Sequence, residues 1–140
     1  MKPWVLFAIV SMIFAGFTSV IAKMGLTGIS GELGLTVRTV FVFIFVLAFA
    51  AFFVPVSQVA GLTRSNYLWL GLSAVTTSLS WIFYYKALKL GDVSKIALID
   101  KGSMVVAVLL ACIILKEQIT LRVAMGGLLM VTGLLVIARK

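Results

Sequence analysis

The sequence predicts an all-α, multi-pass membrane protein with five transmembrane helices, and three observations carry that prediction. Of its 140 residues 63% are hydrophobic and 11% charged, more apolar surface than one small water-soluble core can hide. The apolar residues fall into long runs rather than short alternating segments. The runs are joined by connectors too short to form a soluble domain. Helices follow because lipid offers no hydrogen bonds to the backbone, and the chain lacks the even series of short alternating strands that would close a barrel.

The spans are expected at about 4–22, 36–56, 67–86, 96–115 and 121–138, together forming a single domain over 1–140. Trp4 to Ala22, Thr39 to Val56 and Tyr67 to Tyr85 are uncharged, and each approaches the roughly 20 residues that a helix needs to cross about 30 Å of hydrocarbon. Lys2 before the first run resembles a secretory signal, but the run is long and four more follow, so it reads as a retained span. Glycines at 25, 28, 31 and 34 suggest a flexible first connector. Pro55 marks the exit of the second span, and Thr63 to Asn66 supplies a polar start for the third.

The fourth span is unusual. Its uncharged part, Gly102 to Leu115, covers only about 21 Å. Completing the crossing draws in residues back to Ile96 and places Asp100 about 8 Å inside the interface. An ionisable group at that depth marks a functional site by default, against the alternative that Asp100 and Lys101 snorkel outward. Gly126 and Gly133, one heptad apart in the fifth span, read as a helix-packing face.

Alternating traversal gathers Lys23, Arg38, Tyr84, Tyr85, Lys86, Asp100 and Lys101 into one layer. There Arg38, Lys23 or Lys101 is expected to hold Asp100 ionised, and the cluster to gate a cavity. Deeper, Ser73, Thr77, Ser80 and Tyr84 share one face of the third span, with Ser78, Trp81 and Tyr85 on the adjoining face. The first span contributes Ser11, Ala15, Ser19 and Ala22. Such stripes either pack helices closely or line a pathway of hydroxyls and rings for an amphipathic solute.

Several chemistries are excluded. There is no histidine and a single cysteine, Cys112, so neither the usual zinc and imidazole-base sites nor an intramolecular disulfide is available. No nucleophile–base pair or phosphate-cradling loop indicates an enzyme, and no cofactor is called for. The 12 basic residues against 4 acidic ones are scattered over connectors and helix ends, which fits contact with anionic lipid headgroups and not with nucleic acid. No acidic residue lies in the middle of a span, so Asp100 is the one candidate for proton coupling, and its basic neighbours favour the charged form.

The stretch WIFYYKALKLGDVSKIALIDKGSMVVAVLLACIIL from Trp81 to Leu115, followed by KEQIT and then Gly126 to Gly133, resembles the EamA domain of the drug/metabolite transporter superfamily. AKMGLTGIS and TVRTV around Arg38 are similar to the short branch that carries one such domain. Leu98 departs from the proline that many relatives have there, which puts a proline-induced break of the fourth span in doubt. Longer members hold two five-helix halves of opposite orientation, so the resemblance implies a homodimer, antiparallel if both orientations insert. It also implies export of small-molecule metabolites.

Charge bias is weak. Four basic residues, Lys2, Arg64, Lys116 and Arg122, lie on the amino-terminal side, against Lys23, Lys86, Lys89, Lys95, Arg139 and Lys140 opposite, with Arg38 as a seventh. This modestly favours a cytoplasmic carboxyl terminus in the inner membrane and permits dual insertion. Competing readings are a flippase for lipid-linked solutes and a non-transporting subunit of another membrane protein.

Overall fold

The computed structural model describes residues 3–138, so the charges at Lys2, Arg139 and Lys140 lie outside the described residues. Seven helices are seen among the described residues: α1 (Pro3–Gly25), α2 (Gly31–Phe53), α3 (Val56–Ala60), α4 (Arg64–Leu90), α5 (Val93–Asp100), α6 (Ser103–Ile114) and α7 (Leu121–Ala138). They fall into two compact units, one ending at Leu90 and the other beginning at Gly91.

Four helical stretches are long and apolar enough to cross a membrane: Pro3–Gly25, Gly31–Phe53, Val93–Ile114 and Leu121–Ala138. The helix expected as the third crossing, α4, is continuous over 27 residues, about 40 Å, and so exceeds a bilayer core in length. Its Arg64, Asn66, hydroxyl stripe and two lysines make it more polar than the other four.

In the first unit, helix ends are set by local chemistry. Ser30 caps α2 by accepting the Leu33 N–H at 3.2 Å, which starts that helix five residues earlier than the expected span at 36. Pro55 holds the preceding Val54 in extended conformation (φ −104°, ψ 111°), and α2 therefore stops at Phe53 rather than at Val56. The short α3 follows in the connector. Thr63 and Asn66 then bond reciprocally, Thr63 N–H to Asn66 Oδ1 at 2.9 Å and Asn66 N–H to Thr63 Oγ1 at 3.3 Å, closing the start of α4.

The first connector is a fitted turn, not the flexible one its glycines suggested. Gly28 takes φ +77°, and Leu26 is buried beneath the turn at 3% exposure. A Cβ on Gly31 would stand 2.8 Å from the Tyr85 carbonyl oxygen, so the start of α2 rests directly on the α4 backbone. Tyr85 and Leu88 are the other buried apolar residues of this unit. Nearly all remaining large apolar side chains face outward, the arrangement that hydrocarbon as solvent allows.

In the second unit α5 and α6 follow each other with a tightened turn between them. Gly102 N–H bonds Ile99 C=O at 2.9 Å and Met104 N–H bonds Lys101 C=O at 3.1 Å, three-residue closures in place of the α-helical four. The fourth apolar stretch is thus interrupted without a proline. Gly102 lies against α7, where an added Cβ would come within 3.0 Å of Leu134 Cδ1. At the other end of α6, Lys116 adopts φ 55° and lets the Glu117 N–H return to Ala111 C=O at 3.2 Å. Thr120 Oγ1 accepts from Val123 N–H at 3.4 Å and opens α7.

Gly31→Ala is expected to lower stability by about 1–3 kcal/mol, because the new methyl meets backbone that cannot swing aside. Gly16→Ala, where a Cβ meets nothing within 4 Å, is expected to change it by less than about 0.5 kcal/mol. Thermal unfolding of both variants in detergent compares them, and equal melting curves would refute the close-approach account.

Candidate functional site

Within the first unit, the facing ends of α1, α2 and α4 bring together most of the expected layer. Lys23, in the last turn of α1, donates through Nζ to the Leu88 carbonyl near the end of α4. Lys89 reciprocates, donating to Leu26 C=O at 3.1 Å. Both ammonium groups therefore serve carbonyls at helix ends, where the macrodipole favours positive charge. Glu32 in the first turn of α2 pairs with Lys86 at 3.5 Å, an exposed bridge of small energetic weight.

Arg38 lies against aromatic rings. Its guanidinium carbon lies 4.4 Å from the centre of the Trp81 ring and 6.0 Å from that of Tyr85. Two turns of α2 separate it from Gly31, so the contact that seats Gly31 on α4 also carries Arg38 towards Trp81 one turn back along α4. None of the ion pairs found among the described residues involves Arg38. Its Nη1 is shielded from solvent and has no hydrogen-bond partner. Within this unit, aromatic faces supply the attraction for its charge.

Tyr84 and Tyr85 separate in role. Tyr84 donates its hydroxyl proton to Ser19 Oγ at 2.8 Å, and Ser19 donates to Ala15 C=O at 3.4 Å, which ties α4 to α1. Tyr85 is 4% exposed and stands edge-on to Tyr84, with ring centres 6.3 Å apart.

Two clefts open in this unit, one lined by Trp81 and the other by its partner Arg38. One, of about 660 Å³, opens between α2 and α4 and is lined by Glu32, Leu35, Thr36, Thr39, Val40, Phe43, Ser78, Trp81 and Ile82. The hydroxyls of Thr36, Thr39 and Ser78 donate to their own helices at Glu32, Leu35 and Ala74 C=O, at 2.9, 2.8 and 2.8 Å. Their donors are thereby engaged, and they offer lone pairs to a solute. The other cleft, of about 530 Å³, lies between α1 and α2, with Arg38 and Tyr85 in an otherwise largely apolar wall. Thr77 donates to Ser73 C=O at 2.8 Å and borders neither cleft.

In the second unit, Asp100 and Lys101 sit at the tightened turn between α5 and α6. They pair with each other at 3.8 Å, both partly exposed, so among the three cations expected to hold Asp100 it is Lys101 that is found beside it. At Gly126 and Gly133 an added Cβ would meet open space; the close glycine contact within this unit is made by Gly102.

Glu32, Thr36, Thr39 and Phe43 were missed by sequence reasoning. A signal existed in Thr36, Thr39 and Phe43, which follow helical spacing from Glu32, but only with α2 begun at Gly31 does that face become visible.

The EamA-like transporter family matches residues 2–139. A Sinorhizobium sp. protein described as an uncharacterized transporter in the cobO 3′ region is 31% identical over 137 residues, covering 98% of this chain and 97% of that protein. No solved structure matches the chain. A family match over nearly the full length, on an integral membrane protein built of long apolar helices, makes this chain a membrane transporter of the EamA-like transporter family.

Proposed function

We propose that the protein exports small organic metabolites by alternating access, as a homodimer of antiparallel copies in the cytoplasmic membrane, with α4 as the fifth crossing. The observation that carries this reading is the pair of clefts in the first unit, one lined by Arg38 and the other by its ring partner Trp81. Their volumes, about 660 and 530 Å³, lie in the range that encloses small organic ligands, roughly 300–1,000 Å³. Their walls combine apolar side chains and rings with a few fixed polar groups, as such sites require.

The dimer reading is supported by the five crossings of this domain, which pair naturally with an inverted second set. Two inverted copies reproduce the repeat architecture of transporters whose solute site lies at the repeat interface. The outward apolar faces, including the open glycine faces at Gly126 and Gly133, supply contact surface for a second copy. Asp100 and Lys101 act as a gating group, placed where regular helical bonding in the fourth apolar stretch is interrupted. Lys23 and the Tyr84–Ser19 bond hold α1 and α4 in register around the pathway.

Proteoliposomes containing this protein alone, loaded with a metabolite extract, are expected to release discrete small organic solutes faster than empty liposomes, read by mass spectrometry of the external medium. Arg38→Ala and Asp100→Asn are each expected to slow that release by about tenfold with insertion unchanged. Normal release in both variants would remove these residues from the pathway, and no release above empty liposomes would overturn transport by this chain alone.

Tags at either terminus, probed for accessibility in sealed cells, are expected to report both orientations. A single orientation for every molecule excludes the antiparallel pair.

A further inference from the structure

We infer that the cleft between α1 and α2 binds a monoanionic carboxylate attached to an apolar body, with Arg38 as its recognition group; this rests on the transport reading and names its substrate class. The guanidinium is half-buried against rings. Contact through an aromatic face leaves the N–H edges of a guanidinium available, and those edges are what a carboxylate engages in a two-pronged bond. Nη1 has no acceptor and is sealed from water, so the group carries an unmade hydrogen bond in surroundings where such a deficit is costly.

The wall of this cleft fixes the sign and amount of charge. No aspartate or glutamate lines it, and the remaining lining is dominated by residues such as Ile21, Val37 and Phe41. One cation in an apolar wall matches one negative charge; a dianionic phosphate would keep a second charge without a partner. Thr18 already donates its hydroxyl proton to Phe14 C=O at 2.9 Å, so it adds no donor for a larger anion. The neighbouring cleft between α2 and α4, bordered by Glu32 and by hydroxyl acceptors, has no such anionic preference.

Trp81 reports directly on Arg38. In full-length protein carrying Trp4→Phe and Trp69→Phe, reconstituted in nanodiscs of uncharged lipid, Trp81 fluorescence is titrated with 3-phenylpropionate, 3-phenylpropionamide and phenethylamine. The acid is expected to bind at least about tenfold more tightly than the amide or the amine. Arg38→Gln is expected to abolish that preference while leaving amide binding unchanged, and Arg38→Lys to retain part of it. The unchanged amide affinity and the partial rescue by lysine separate recognition from misfolding. Palmitate supplied in vesicles tests the bilayer as the source: saturable quenching by either acid, lost in Arg38→Gln, supports the carboxylate site and tells which side feeds it.

Equal affinity for acid and amide, preference for the amine, or an acid preference that survives in Arg38→Gln would overturn the assignment. Release of uncharged or cationic solutes from proteoliposomes, without carboxylate preference in binding, would overturn this site and leave the transport reading standing. Selective acid binding with no flux would do the reverse.

Discussion

The close seat of Gly31 on the backbone of α4 is the constraint on which the first unit depends. A carbonyl oxygen stands 2.8 Å from where a Cβ would be, so the first turn of α2 and the last turns of α4 are in van der Waals contact. That contact sets the register for everything farther along. Glu32 comes within reach of Lys86, and Arg38, two turns on, is brought to Trp81 and Tyr85. Along the same pair of helices, beyond the contact, opens the cleft of Thr36, Thr39, Phe43 and Ser78. The turn through Gly28 and the burial of Leu26 and Leu88 hold the end of α1 to the same point.

Hydrocarbon as the surrounding medium explains why so little of this unit is buried. Apolar side chains gain nothing from leaving lipid for protein, so close packing at small residues and polar links must hold helices together. The Tyr84–Ser19 bond and the two lysines that serve carbonyls at the opposite helix end are links of that kind. Several hydroxyls without a partner on another helix turn back to their own backbone, as at Thr36, Thr39, Thr77 and Ser78, which engages their donors in the apolar medium. Arg38 cannot turn back in this way. Two aromatic faces meet its charge, and its inner N–H remains unmatched, which is why the chemistry of the site centres on it.

The second unit meets the same conditions with a different device. Its fourth apolar stretch is too short for one plain crossing and is completed by a segment containing Asp100 and Lys101. Gly102 lets the chain approach Leu134 of α7, and three-residue hydrogen bonds tighten the turn there, so the break arises without a proline. The two charges then neutralise each other at the point where regular helical bonding is interrupted.

Much of the architecture was legible in the residues. Long apolar runs fix helices and their approximate places, because an unsatisfied backbone in lipid leaves one solution, and Thr63–Asn66 and Pro55 are boundary signals whose mechanism is local. Arg38, Trp81, Tyr84 and Tyr85 were singled out because rings and charges at the end of a span are unusual. Their partners were not legible. The contact of the Arg38 guanidinium with Trp81, the Tyr84–Ser19 bond and the service of Lys23 to Leu88 join positions far apart in the chain, and no local preference encodes such pairs. Glycines 28 and 31 looked like flexibility because a glycine has the same letter whether it loosens a loop or lets two backbones touch. The sequence by itself determined an all-helical membrane protein and its charged end. Only the tertiary structure decided that Glu32 meets Lys86 and Arg38 meets Trp81, because those pairings depend on a single contact between backbones, at Gly31, that has no side chain to announce it.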